Sequence, residues 1–461
     1  MENLKYYNKI FLRFSNFYKL YKKIIKSFIR FVICRKKQIE RIENGMGRLI
    51  FHVDVNSAFL SWEASRRVAK GEEDIRLIPS CISGDPSKRT SIVLAKSIPA
   101  KKFGIVTGES IATAMRKCPD LYIAGPDFRL YSECSMKFKD ICRQYAPQVE
   151  EYSIDECFMD MSKTSLLYPN PIETAYEIKN LIRDTLGFTV NIGIGPNKLL
   201  AKMAGDFEKP DKVHTLFKEE IPKKMWPLPV GELISVGKNT ADKLYRAQIR
   251  TIGELANADL KFIQSLIGNK LGAQIYEYAN GIDDSEIESD KREAKGYSAA
   301  ITFERDITSI DTANKVLMGL AESVAARLRK DEAKAYCVSV NIRFTDFKNK
   351  SHQKHLDEAT DITLEIYNVA RKLLEEFWDN SPIRLMGLAL SNVTRDGCEQ
   401  IELFGNEEKE RQKKIDLTMD NIRNRFGIDK VVRGSLYGES MNINKKHKAQ
   451  MEIDRENKKS E

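Results

Sequence analysis

The chain has eight cysteines (positions 34, 81, 118, 134, 142, 157, 337 and 398) but no Cys-x-x-Cys pair. Thiols scattered in this way give neither a zinc-site spacing nor a disulfide framework, and they suit a reducing cytosol. No apolar run approaches the ~20 residues of a membrane span. The best stretch, Phe28 to Cys34, is short and interrupted by Arg30. A secretory signal is also missing, because the first residues alternate charges with aromatics where an apolar core and cleavage site would stand. These absences lead to the expectation of a cytoplasmic, monomeric protein without membrane contact.

The body of the chain also lacks net charge. The formal total is +9, yet residues 1–45 hold twelve Lys and Arg against three Glu, so the whole excess lies there. Residues 46–461 carry sixty-three charges of each sign. Nucleic-acid binding must therefore rest on local basic patches and not on the overall balance. Residues 1–45 read as a basic, aromatic-rich helix or a disordered arm, suited to a membrane surface or DNA. Alternatively they are an appended segment outside the fold, even an upstream start codon chosen in error, since Met46 precedes the first strand-like run. With 42% hydrophobic and 31% charged residues over 461 positions, the chain has material for roughly three domains.

From Arg48 to about Glu219, strand-like runs (49–55, 149–154, 157–162, 189–194) alternate with helical stretches (near 57–70, 108–117, 129–145, 172–185, 197–206). A hairpin at 149–162 within this mixture predicts an α+β layer and not a doubly wound parallel sheet. Residues 221–280 read as short helices separated by Gly turns. A charged stretch over 283–295, nearly devoid of apolar residues, reads as a linker. Strands at 297–303, 336–344 and 383–393, with amphipathic helices at 311–330 and 360–378, predict a second α+β domain, and 438–461 forms a polar tail.

Candidate chemistry centres on Glu151-Tyr-Ser-Ile-Asp-Glu-Cys-Phe-Met-Asp160. Adjacent acids on a straight strand point to opposite faces, so Asp155 and Glu156 can share a site only where a tight hairpin breaks the pleat. Alone, the pair reads as an exposed acidic turn. Asp54 changes the balance. It ends the apolar run Leu49–Val53, where a carboxylate has no packing role, and Asn56 and Ser57 can cap the helix that follows. Three carboxylates suit hard Mg²⁺ better than zinc. Two such ions about 3.5–4 Å apart can activate a primer 3′-hydroxyl and stabilise leaving pyrophosphate.

Asp54-Val-Asn-Ser-Ala-Phe59 and Ser153-Ile-Asp-Glu156, about a hundred residues apart, resemble the metal-binding motifs of Y-family DNA polymerases, in the bacterial DinB or DNA polymerase IV branch. The resemblance runs from about Met46 to Tyr437. It implies that Asp54, Asp155, Glu156 and the Val55 backbone carbonyl hold two Mg²⁺, and that Phe59 is a steric gate against a 2′-hydroxyl. Without it, Phe59 would read as a core residue beside Leu60 and Trp62.

Lys101-Lys-Phe-Gly-Ile105 resembles the fingers motif that grips the triphosphate, with Lys101 where Arg is usual and Ile98 where Tyr is usual. Lys offers a point charge in place of a bidentate fork, and Ile offers no phosphate hydrogen bond. Gly193-Ile-Gly-Pro-Asn-Lys-Leu-Leu-Ala-Lys202 and Glu208-Lys-Pro210 also match the family, and Lys209 corresponds to a second triphosphate-binding lysine. Asn197 can start a helix carrying Lys198 and Lys202, either for function or as a solvated face.

Leu228 to Thr240 reads as a helix-hairpin-helix whose Val236, Gly237 and Lys238 would meet a DNA phosphate, with Ser235 where Gly is common. Thr251 to Glu254 is a capping box. Thr302-Phe-Glu-Arg-Asp306 resembles the opening of the little finger, with Arg305 a DNA contact and Arg343 and Lys348 further phosphate contacts. Gln400-Ile-Glu-Leu-Phe404 resembles the peptide that enters the sliding clamp, Leu403 and Phe404 as apolar anchors and Gln400 as its polar end.

The resemblance thus implies an α+β multidomain right hand. The ferredoxin-like palm spans 46–57 and 124–212, the small fingers 58–123, the helical thumb 213–287, the linker 288–295 and the α+β little finger 296–404. A C-terminal helix and tail occupy 405–461. The implied activity is primer extension with deoxynucleotides on primer-template DNA, error-prone and able to pass damaged bases. The rival is a non-catalytic DNA- and clamp-binding accessory, disfavoured by the presence of all three carboxylates.

Overall fold

The computed structural model describes residues 47–289, 293–395 and 407–436. The expectations for 1–45, for Gln400, Leu403 and Phe404, and for the tail lie outside the described residues. In chain order the strands are β1 (Ile50–Val55), β2 (Ser80–Ser83), β3 (Val93–Lys96), β4 (Tyr122–Ala124), β5 (Gln148–Glu151), β6 (Glu156–Asp160), β7 (Val190–Gly195), β8 (Val213–Thr215), β9 (Gly296–Ile307), β10 (Lys334–Phe344), β11 (Asn349–Thr360) and β12 (Ile383–Thr394). They belong to two compact units, one of 47–61 with 134–289 and one of 62–133 with 293–436.

The first unit is built about β1. All six of its residues are buried, because it lies inside the five-stranded sheet β5-β6-β1-β7-β8, and a strand covered on both faces loses the alternation of a half-exposed one. β1 pairs antiparallel with β6 and β7, and β8 joins β7 in parallel. β8 begins at Val213, so the sheet runs past the palm boundary expected at 212. Helix Pro171–Leu186 starts at an Asn170 cap with Pro at its first position and stops at Gly187, whose φ of +77° suits glycine. Helix Lys198–Gly205 starts at Asn197, whose side chain accepts the Leu200 N–H at 2.8 Å.

Leu199, Leu200, Met203 and Ala204 of that helix also enter the core of the short helices that follow, with Ile221, Leu244, Ile252 and Ile275. One helix thereby ties the sheet to the short helices that follow it. The capping box of Thr251 and Glu254 is formed at the start of helix Ile252–Ala256.

The second unit holds the three-stranded sheet β3-β2-β4 and the four-stranded antiparallel sheet β11-β10-β12-β9. Helices Ile310–Lys330 and Thr363–Phe377 share one core with the larger sheet, through residues such as Leu317, Leu320, Leu374 and Phe377. Strand β11 was absent from the sequence expectation. Its residues, Asn-Lys-Ser-His-Gln-Lys-His-Leu-Asp-Glu-Ala-Thr, are exposed along nearly its whole length, so no apolar period marks it. Only pairing to β10 makes it a strand, and its lysines and histidines suit a sheet edge. The second helix starts at Thr363, not 360, since Thr360 still pairs with Ala335.

Helix Glu407–Phe426 is held by buried ions rather than by an apolar stripe. Asp416, 2% exposed, accepts the Thr363 N–H at 2.8 Å, capping the neighbouring helix from outside, and receives Arg433 at 2.5 Å and Arg329 at 3.3 Å. Glu322 receives Arg423 at 3.1 Å and Arg433 at 2.9 Å. Removing one member of such a set strands the others. Asp416→Ala is expected to destabilise this unit by about 3 kcal/mol, checked by urea unfolding against wild type. An unchanged midpoint would show that the network contributes nothing.

Candidate active site

The β1–β6 register sets Asp54 directly opposite Glu156. Directly opposed residues of an antiparallel pair share a face with Cβ atoms about 4.5–5.5 Å apart, and like charges there repel. The chain answers with cations on both sides. The Lys209 ammonium pairs with Asp54 Oδ2 and lies 2.8 Å from Asp206 Oδ1. The Lys202 ammonium pairs with Glu156 Oε2, and His52 Nε2 donates to the same oxygen at 2.8 Å. Burial pushes the Asp54 carboxyl above the usual range, with Lys209 opposing it. For Glu156, burial pulls upward, but bonds from His52 and Lys202 outweigh it and hold the carboxyl down at about 2. Lys209 is raised, since Asp54 and Asp206 overcome its burial.

Asp155 lies in the turn between β5 and β6, where the pleat is broken, so it escapes the opposite-face rule of a straight strand. Its carbonyl accepts the Val55 N–H at 3.0 Å. Its Oδ1 accepts the Ser153 hydroxyl at 2.7 Å. The hairpin is thus stitched to the end of β1, and Asp54, Val55, Asp155 and Glu156 meet where β1 ends and β6 begins, in the middle of the sheet.

The other expected residues are placed as follows. Phe59, on helix Ala58–Ala69, is half-buried while Leu60 and Trp62 are fully buried. Lys101 and Ile98 lie on helix Ile98–Lys102 of the second unit, both exposed. Arg305 is exposed on β9. Val236 is buried in the core of the short helices and its N–H already donates to the Leu233 carbonyl at 3.0 Å. Gly237 and Lys238 are exposed, and Gly237 caps helix Lys238–Arg246 with no side chain of its own. Ser235 sits at φ +73°, the left-handed region in which glycine is favoured.

Three participants were missed or undervalued from sequence. His52 precedes Asp54 by two and so shares its face, which was a usable signal. Its ring is 0% exposed, and its Nδ1 has no hydrogen-bond partner among the described residues. Lys202 is no solvated residue, because it reaches Glu156, and Lys198 is buried against Glu150 at 2.7 Å. Both sit on helix Lys198–Gly205, which can press on β7 only because of glycine. A Cβ on Gly193 would collide with the Ala201 carbonyl and the Gly205 N–H, and one on Gly195 would lie 2.7 Å from the Ala201 nitrogen.

Among the described residues, no three His, Cys, Asp or Glu side chains gather tightly enough to hold a metal as they stand. The donor set still fits a hard cation. It consists of carboxylate oxygens, and their two opposed members already each face a positive nitrogen. Gly193→Ala is expected to cost about 3 kcal/mol by overpacking and to displace Lys202. Thermal unfolding and primer extension of the folded fraction check this, and wild-type values for both would refute the close approach.

The impB/mucB/samB family profile matches residues 53–206, its C-terminal domain 294–403, and a DNA polymerase-iota thumb-domain profile 231–283. The chain is 45% identical over 394 residues to a DNA polymerase IV of Clostridium acetobutylicum, covering 85% of this chain and 98% of the relative. A DNA polymerase IV of Clostridium kluyveri is 35% identical over 407 residues, covering 86% and 100%. DNA polymerase IV 2 of Bacillus subtilis is 35% identical over 396 residues, covering 84% and 94%. In fold, the chain is similar to a solved Y-family DNA polymerase chimera of Dbh and Dpo4, with a TM-score of 0.66 at 20% identity over 75% of this chain and 99% of the other.

Proposed function

The chain belongs to the Y family of DNA polymerases, in its DNA polymerase IV branch, and from that premise we propose which of its residues perform the reaction. It is a template-directed DNA polymerase that extends a primer 3′ end by divalent-metal-dependent nucleotidyl transfer. Relatives matched over nearly their full length leave the accessory role without support.

The opposition of Asp54 and Glu156 across β1 and β6, with Asp155 bonded to Val55, carries the assignment. Asp54, Asp155, Glu156 and the Val55 carbonyl would hold two Mg²⁺. When bound, these ions lower the charge on the phosphates and activate the primer 3′-hydroxyl. The chain's own share is positioning and electrostatics. His52 and Lys202 keep Glu156 ionised and fixed. Lys209, which pairs with Asp54 and Asp206, would be the second basic residue to bind the triphosphate beside the carboxylates. Lys101 adds a point charge from the fingers.

Phe59, half-buried, stacks on the deoxyribose and leaves no room for a 2′-hydroxyl. The backbone N–H groups from Gly237 onward, with Lys238, hold a DNA phosphate at a helix N-terminus, while Val236 shapes the hairpin from within. Arg305 contacts the duplex backbone from β9, and Gln400, Leu403 and Phe404 engage the sliding clamp. Synthesis of this kind is error-prone and proceeds past damaged template bases. No helix among the described residues is long and apolar enough to cross a membrane.

Primer extension tests the metal ligands. Asp155→Ala is expected to lose at least about a hundredfold in rate, as several kcal/mol of charge stabilisation implies, and activity equal to wild type would refute the assignment. Phe59→Ala is expected to raise ribonucleotide use relative to deoxynucleotide by about tenfold or more. Unchanged sugar discrimination in single-nucleotide incorporation would reject the gate.

A further inference from the structure

The hairpin that carries Asp155 is held from behind by a residue with no place in the chemistry described so far. Lys139, on helix Phe128–Tyr145, is 3% exposed. Its ammonium donates to the Ser153 carbonyl at 2.7 Å and lies 3.5 Å from Glu151 Oε2. Arg143, one turn further along, binds the other oxygen of Glu151 at 2.6 Å but makes no bond to the turn itself. A lysine buried to this degree is costly unless its donors are satisfied. Here the carbonyl of a hairpin-turn residue supplies the shortest of its bonds.

Ser153 is the junction. Its hydroxyl donates to Asp155 Oδ1 at 2.7 Å, and its N–H donates to the Glu156 carbonyl at 3.2 Å. A bond to the Ser153 carbonyl therefore anchors the residue whose hydroxyl holds the Asp155 carboxylate and whose N–H pairs with the start of β6. We propose that Lys139 is a positioning residue for the metal site, acting through the Ser153 carbonyl to hold Asp155 in its ligating orientation. The inference rests on the assignment of Asp155 as a metal ligand. Groups that orient a ligand from outside the coordination sphere are worth about 10–100-fold in metal affinity or activity, and Lys139 stands in that relation to Asp155 at one residue's remove.

The test is Mn²⁺ binding to the full chain, followed by electron paramagnetic resonance, with primer extension read alongside as a function of Mg²⁺ concentration. Lys139→Met is expected to bind Mn²⁺ about tenfold more weakly and to need correspondingly more Mg²⁺ for half-maximal extension, with KM for the deoxynucleotide unchanged. Lys139→Arg restores most of the affinity. Arg143→Met, which loses the Glu151 pair but no bond to the turn, binds as wild type. Should Lys139→Met fail to fold, Lys139→Met with Glu151→Gln removes the buried ammonium and its counter-charge together and is expected to show the same weakening. Wild-type Mn²⁺ affinity in Lys139→Met or in that double variant overturns the proposal, as does equal weakening in Arg143→Met. Asp155→Ala separates the two levels. If it binds Mn²⁺ and extends primers as wild type does, the metal-site assignment itself fails. If it loses both while Lys139→Met is unaffected, only the role of Lys139 falls.

Discussion

Asp54 and Glu156 face each other across β1 and β6, and much of the first unit can be understood as the means of making that opposition tolerable. Two carboxylates on one face of an antiparallel pair repel, and burial raises the cost of keeping either ionised. Burial raises both acids, more heavily at Asp54, which is buried, than at half-buried Glu156, and the outcomes differ in direction. Asp54 is displaced upward and Glu156 downward to about 2, because Glu156 receives two donors on one oxygen. The end of the β1–β6 pair is therefore a place where cations are demanded, and Lys202 and Lys209 meet the demand.

That demand explains the tight packing behind the site. Lys202 can reach Glu156 only if helix Lys198–Gly205 lies closer to β7 than side chains permit, and Gly193 and Gly195 provide the clearance. The same helix contributes Leu199, Leu200 and Met203 to the thumb core. One short helix thus serves three purposes, supplying a cation to the site, covering the sheet and joining the thumb. On the other side of the hairpin, Lys139 performs the complementary task of holding the turn in place.

The second unit is organised by different physics. Its larger sheet and two long helices share an ordinary apolar core, but its C-terminal helix is attached by Asp416, Glu322, Arg329, Arg423 and Arg433. Its apolar residues at helical spacing, Ile415, Met419 and Ile422, are only half-buried, while the fully buried positions are the charged Asp416 and Arg423. A helix could be expected after residue 405 from its sequence, whereas its docking could not.

Periodicity, caps and motif spacing determined most of the elements from sequence alone: β1 as an apolar run, the helix begun by Asn197, the capping box of Thr251, and the carboxylates as the focus of the chemistry. These features are local, encoded within a few residues of chain. What tertiary structure decided was register and reach. Whether Glu156 or its neighbour opposes Asp54 depends on the pairing of strands a hundred residues apart. Whether Lys202 is solvated or bound to Glu156 depends on how closely a helix approaches glycine, and β11, without an apolar face, exists only because β10 offers it hydrogen bonds. Long-range pairing leaves no mark on the residues that undergo it, so the identity of the acids was legible and their arrangement was not.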